Sequence, residues 1–352
     1  MDNHDFCKIL PKVELHAHLT GSIDRQSLHS LWKSKQETGQ LEKDVMQDPM
    51  MAIPPAAKGI SIKTFFPIFD KYIYNLITTA QDVRATTNAV LDSFAADGVV
   101  YLELRTTPRA NASAGLSKEA YVSLVLETIA SYNACQSRLH TRLILTIDRR
   151  MSAAEADEVV DLAIRFHAKG IVGVDLAGNP LVGNVTTFRQ ALARAKLEGL
   201  NLTLHFGETA SSGKDEELLA LLEMQPQRLG HVIHLSRAIR EEVIKRRLGL
   251  ELCLSCNVLA EMTSGGFRGH HVGTWLGGKC AVALSTDDVG IFESELSHEY
   301  EMLMEHFDVG RRLAVDLSRQ AASVMFGGDD EKLRVFRLLD EFEAEHIEGL
   351  GL

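Results

Sequence analysis

The stretch Lys12-Val13-Glu14-Leu15-His16-Ala17-His18 is a short, largely apolar run that ends in two histidines separated by one residue. On a β-strand alternate side chains point to the same side, so both imidazoles can converge on one point. Seven further runs of this kind follow, at 99–105, 142–148, 171–178, 201–207, 228–232, 249–255 and 281–287. Each has a strand's length and is rich in Val, Ile or Leu. Amphipathic helical patterns such as 153–167 and 213–222 lie between them. Eight βα units in a chain of 352 residues predict an α/β fold, a parallel (β/α)8 TIM barrel, with a doubly wound sheet as the competing arrangement.

The spacing breaks in one place. Roughly residues 21–98 separate the first run from the second and include apolar helical stretches with Phe65, Phe66, Phe69 and Tyr72. They read as extra helices inserted after the first strand, where barrels often grow a lid. No linker, low-complexity tract or internal repeat marks a boundary, so 1–352 reads as one domain.

Composition narrows the field. A chain with 45% hydrophobic and 24% charged residues suits a soluble globular protein. With 37 basic and 48 acidic side chains the net charge is −11, which argues against nucleic acid or an anionic membrane as partner. No apolar run approaches the ~20 residues of a membrane span, and Met1-Asp2-Asn3-His4-Asp5 does not resemble a signal peptide. Five scattered cysteines offer no disulfide framework, and a cytoplasmic protein is expected. Cys253 and Cys256 read as packing at a strand end, not as a zinc or redox pair.

Barrel enzymes build their sites at the C-terminal ends of the strands. Here the first run ends in His16 and His18, and the fifth in His205-Phe206-Gly207-Glu208. The sixth contains His231, and the eighth ends in Asp287-Asp288. Each alone has an ordinary structural reading, as a hydrogen-bonded core histidine or a helix N-terminal carboxylate. Together they fall on one predicted rim. Three imidazoles and a carboxylate form a shell for one zinc ion with an open position for water, whose pKa such an ion lowers towards ~7. Glu208 would then move protons, His231 would orient or deprotonate the water, and Asp288 would bind substrate beside Asp287. The fourth run ends at Gly178 and not in a lysine that could bridge two ions, which favours a single ion.

The motifs His16-Ala17-His18, Asp175-Leu176-Ala177-Gly178, His205-Phe206-Gly207-Glu208, Arg228-Leu229-Gly230-His231 and Ser285-Thr286-Asp287-Asp288 resemble the signatures of the adenosine deaminase family. The matches run in that family's order and spacing across residues 11–292, and the HxE…PCxxC pattern of the cytidine-type deaminases is absent. The resemblance implies a monomeric, zinc-dependent hydrolytic deaminase of a purine. His16, His18, His205 and Asp287 would bind the ion, with His18 also facing the substrate. Glu208 would protonate the purine N1, and His231 would assist attack on C6. Asp288 would hydrogen-bond N7, and the Gly178 amide would reach N3.

In ordinary members of that family the position after HxHL is an Asp that holds the ribose 5′-hydroxyl. This chain has Thr20 there. A neutral hydroxyl can donate to a 5′-phosphate that a carboxylate would repel. The second run continues as Leu104-Arg105-Thr106-Thr107-Pro108-Arg109, with hydroxyls and a guanidinium suited to phosphate. Together with Asp148-Arg149-Arg150, this looks similar to the adenosine deaminase-like branch that acts on N6-methyl-AMP, in which the segment matching 106–109 and the residue matching Asp148 contact the nucleotide. Thr20 departs from that branch's Asn, and HFGE at 205–208 departs from its HLSE. A histidine that the branch uses in the inserted helices has no clear counterpart. The implied reaction is N6-methyl-AMP and water to IMP and methylamine, with adenosine deamination as the alternative. Adenine deamination and a non-catalytic binding role stand behind both.

Overall fold

The apolar runs pair in chain order. The protein, seen in a computed structural model that describes residues 1–41, 45–57, 59–135 and 138–347, has one parallel eight-stranded sheet. Its strands are β1 (Lys12–His18), β2 (Val99–Thr106), β3 (His140–Asp148), β4 (Ile171–Ala177), β5 (Asn201–Phe206), β6 (Arg228–His231), β7 (Gly249–Leu252) and β8 (Val282–Leu284). An Ala17–Asp287 bridge, in which the His18 N–H donates to the Asp287 carbonyl at 2.9 Å, brings the first strand to the segment after the last. The strand order never reverses, so this is a nearly closed (β/α)8 TIM barrel and not a doubly wound sheet.

The crossover helices carry their own start signals. Thr79 with Asp82 caps Ala80–Ala96, and Ser152 with Glu155 caps Ala153–Phe166. Ala156, Val159, Val160, Ala163 and Phe166 of the latter recur every three or four residues and are buried. Between β1 and the helix Ala80–Ala96 lie Arg25–Glu37, Pro49–Ala52, Ile62–Ile68 and Tyr74–Leu76, within the predicted insertion. Residues 42–44 and 58 of that segment, and 348–352 of the predicted domain, lie outside the described residues. Among the described residues no helix is long and apolar enough to cross a membrane.

The barrel interior is not simply aliphatic. Glu14, Glu103, Arg105, Asp175, Arg228 and Glu251 are all fully buried on its strands. Arg228 donates to Glu103 (2.5 Å) and Glu251 (2.6 Å), while Arg105 donates to Glu251 (2.7 Å) and Asp175 (3.1 Å). All four lone-pair positions of Glu251 are used, since Thr203 (2.7 Å) and His16 Nδ1 (2.5 Å) also donate to it. This column of opposite charges connects the barrel core to the rim histidines.

The seventh run is shorter than expected. The chain leaves the sheet at Leu252 and turns into the helix Leu254–Leu259. Cys256 therefore does not end a strand, and its thiol donates to Asp287 Oδ2 at 2.9 Å. Cys253 and Cys256 are buried and free, and the thiol of Cys256 adds this bond to its packing.

Candidate active site

Two of the rim residues leave the sheet on strained backbone. His231 has φ +66° and Asp287 φ +62°, in the left-handed region that non-glycine residues seldom adopt. His205 Nε2 lies 3.1 Å from His16 Nε2 and 3.2 Å from His18 Nε2. Asp287 Oδ1 is 3.3 Å from His18 Nε2 and 3.7 Å from His16 Nε2. His16, His205, His231 and Asp287 offer ligand atoms that all lie within 4.8 Å of one another, and His18 Nε2 stands beside them against His205 and Asp287. His231 Nε2 is 3.8 Å from Asp287 Oδ2 and 4.0 Å from Glu208 Oε1.

The donor set suits a divalent ion. His16 Nδ1 donates to Glu251, and His205 Nδ1 donates to Asp175 at 3.2 Å. Each ring then turns its Nε2 lone pair inward, and two lone pairs 3.1 Å apart repel unless a cation lies between them. Burial first, then the nearby Arg105 charge, holds both imidazoles neutral, well below the usual histidine range. Gly230 makes room for the His16 ring, because a Cβ there would lie 2.5 Å from His16 Cε1. Gly230→Ala is therefore expected to weaken metal affinity about 10–100-fold, read by competition with a chelator. Unchanged affinity would show that the ring can move aside freely.

Two carboxyls beside this cluster are pushed towards their protonated forms. Burial, followed by the charge of Asp287, pushes Glu208 up to about 8. Burial, then Asp287 and Glu208, pushes Asp288 well above the usual carboxylate range, and its Oδ1 is buried without a partner among the described residues. In its protonated form each can donate a hydrogen bond.

A cavity of about 860 Å³ opens onto these groups. His18, Thr20, Thr106, Thr107, Arg109, Asp148, Gly178, His205, Glu208, Asp287 and Asp288 all line it, whereas Pro108 does not. His16 and His231 are fully buried behind its wall. Gly178, at φ +95°, adopts a conformation open to glycine, and a Cβ there would press on the Asp148 carboxylate. Asp148 in turn accepts from Arg150 Nη2 (2.8 Å) and Nε (3.0 Å).

The expected lid contributes to this site, together with a tyrosine that was not singled out. Phe65, Phe66, Phe69 and Tyr74 supply an apolar wall from the segment after β1. The Tyr74 ring lies 3.4 Å beneath the Arg109 guanidinium, and its carbonyl accepts from Arg109 at 3.3 Å. Glu251 and Glu14 were visible as lone acids in apolar strands, at alternate positions that face the interior. Glu14 accepts from the His16 N–H (2.6 Å) and from Thr286 N–H and hydroxyl (2.9 Å each), which ties β1 to the Asp287 turn.

A family model for adenosine deaminase matches residues 11–342. The chain belongs to the adenosine deaminase family. Like other members, it is a hydrolase acting on carbon–nitrogen bonds. Among adenosine deaminase family proteins, it is 38% identical over 332 residues to a Xenopus laevis protein named N6-Methyl-AMP deaminase-L, covering 93% of this chain and 92% of that one. It is 33% identical over 364 residues to the Arabidopsis thaliana N6-mAMP deaminase, covering 97% and 100%. A solved structure of Arabidopsis ADAL complexed with GMP superposes with a TM-score of 0.89 at 33% identity, over 97% of this chain and all of that one. The structure of an ADAL–IMP complex gives a TM-score of 0.88 at the same identity and coverage.

Proposed function

We propose that this enzyme hydrolyses the 6-amino group of a purine nucleotide, converting N6-methyl-AMP and water to IMP and methylamine. One observation carries the reading. The cavity that holds Glu208 and Asp288 beside the histidine cluster also presents Thr20, Thr106, Thr107 and Arg109, a neutral-to-cationic wall suited to a phosphate. The names of the relatives and the nucleotides in the matching structures point the same way.

His16, His18, His205 and Asp287 would hold one zinc ion, which when bound lowers the pKa of a coordinated water. Glu208 donates its proton to the purine N1, drawing electrons from C6 as the water oxygen bonds there. Of the two water protons, one ends on N1 by way of Glu208 and the other leaves on methylamine. N7 and N3 are acceptors only, so protonated Asp288 and the Gly178 N–H complement them and fix the ring. Asp148, pinned by Arg150, accepts from the sugar hydroxyls. The segment carrying Phe65, Phe66 and Phe69 covers the base and excludes bulk water. Five free cysteines fit a reducing cytoplasm.

The test is kcat/KM for N6-methyl-AMP, AMP, N6-methyladenosine and adenosine on zinc-loaded protein. A strong preference for the methylated nucleotide is expected. Fast adenosine turnover with none on nucleotides would keep the chemistry and overturn the substrate. Arg109→Ala should cost about 10–100-fold in kcat/KM on nucleotides and at most about threefold on nucleosides, since charge-assisted bonds to phosphate are the strong ones. Equal losses on both would remove the phosphate role.

A further inference from the structure

From His231 a chain of hydrogen bonds that no step above uses runs through Asn257 and His270, which do not line the cavity. The Val272 N–H donates to His270 Nδ1 at 3.1 Å. His270 Nε2 lies 3.2 Å from Asn257 Oδ1, and Asn257 Nδ2 lies 3.0 Å from His231 Nδ1. His270 and Asn257 are 3% and 0% exposed.

The direction of this chain follows from its first link. A backbone N–H can only donate, so His270 Nδ1 accepts, and the neutral ring carries its proton on Nε2. That N–H needs an acceptor, which fixes the Asn257 oxygen towards His270 and the amide NH2 towards His231. His231 Nδ1 therefore accepts, and the proton of its neutral ring sits on Nε2. That nitrogen is buried and, among the described residues, has no hydrogen-bond partner. His16 and His205 stand the opposite way, since their Nδ1 atoms donate to carboxylates and their Nε2 atoms offer lone pairs. Similar rings in one cluster thus carry opposite tautomers, some suited to hold an ion and one suited to donate a hydrogen bond.

We propose that Asn257 and His270 are positioning residues that fix His231 as an Nε2–H donor to the oxygen attacking C6, not as a base or a metal ligand. The assignment rests on the deaminase reading above. The middle of the relay and its His231 end are both held through their backbone carbonyls. The Asn257 carbonyl accepts from the N–H groups of Met262 (2.9 Å) and Thr263 (3.1 Å), and His271 Nε2 donates to the His231 carbonyl at 2.6 Å.

The test reads the tautomer by two-bond proton–nitrogen correlation spectra of 15N-histidine-labelled, zinc-loaded protein without substrate. Wild type is expected to show the His231 proton on Nε2. Asn257→Asp, which can only accept, should move it to Nδ1 and lower kcat about 100-fold with KM changed less than threefold. His270→Leu frees the Asn257 amide to turn and should mix the two tautomers, with kcat down about tenfold. His270→Gln, whose amide can still donate to Asn257, should restore at least half the activity. A wild-type proton on Nδ1 would overturn the proposal, as would an Nε2 proton retained in both Asn257→Asp and His270→Leu despite the same loss of kcat. A wild-type Nε2 proton with no turnover of any of the four purines would sink the deaminase reading and leave the relay standing.

Discussion

Replacing Glu208 with Gln lowers kcat by about 10³–10⁴-fold while the metal content stays at the wild-type level. The side chain sits three residues beyond His205, inside the cavity wall and away from bulk water. Burial, then the charge of Asp287, keeps its proton on up to about 8, so the acid form is at hand at neutral pH. The amide of Gln can still hydrogen-bond N1 but has no proton to give up. Steady-state kinetics with elemental analysis on the same sample decides the matter. Loss of the metal together with the activity would make Glu208 a ligand instead of an acid. Because the protonated form does the work, wild-type kcat/KM declines as pH rises past the Glu208 pKa, and the variant should lack that limb.

The second large effect is on stability. Glu251→Gln should destabilise the fold by about 3–5 kcal/mol, the cost of breaking a buried ion pair, and lower Tm by roughly 4–7 °C. Glu251 bridges Arg105 and Arg228 while accepting from His16 and Thr203. The amide removes the charge and puts a donor where four donors already point. Burial alone would raise this carboxyl, but Arg105 and then Arg228 outweigh it and hold it down at about 2. A group depressed on folding stabilises above its unfolded pKa. Its share is full above the ordinary carboxylate range and is lost as pH falls towards about 2. The gap between wild type and variant, followed by calorimetry, should therefore close on acidification. A difference below about 1 kcal/mol at neutral pH would show that the arginines find other partners.

Much of this molecule was legible in its sequence, and the reasons are local. The run Lys12–His18 has the strand's bounds, because apolar alternation and a following turn mark both ends. The eighth run was read through to Asp287, yet the strand stops at Leu284. Asp287 takes a left-handed φ that no composition rule announces. The rim residues could be picked out because strand ends are where barrels keep their chemistry. Asn257 and His270 could not, because their meeting depends on how the loop after β7 folds back on His231. Tyr74 was left out because its spacing within the inserted helices is ambiguous by a residue, and only the packed helices bring its ring under Arg109.

The column of buried charges from Glu103 to Asp175 has a bearing on how such an enzyme can diverge. The residues that fill the barrel also set the tautomers of His16 and His205, so core and chemistry form one electrostatic unit that drift cannot repack piecemeal. The aromatic wall on Ile62–Ile68 takes no part in those bonds. New substrate preferences are therefore free to arise there, one side chain at a time, while the catalytic end stays fixed.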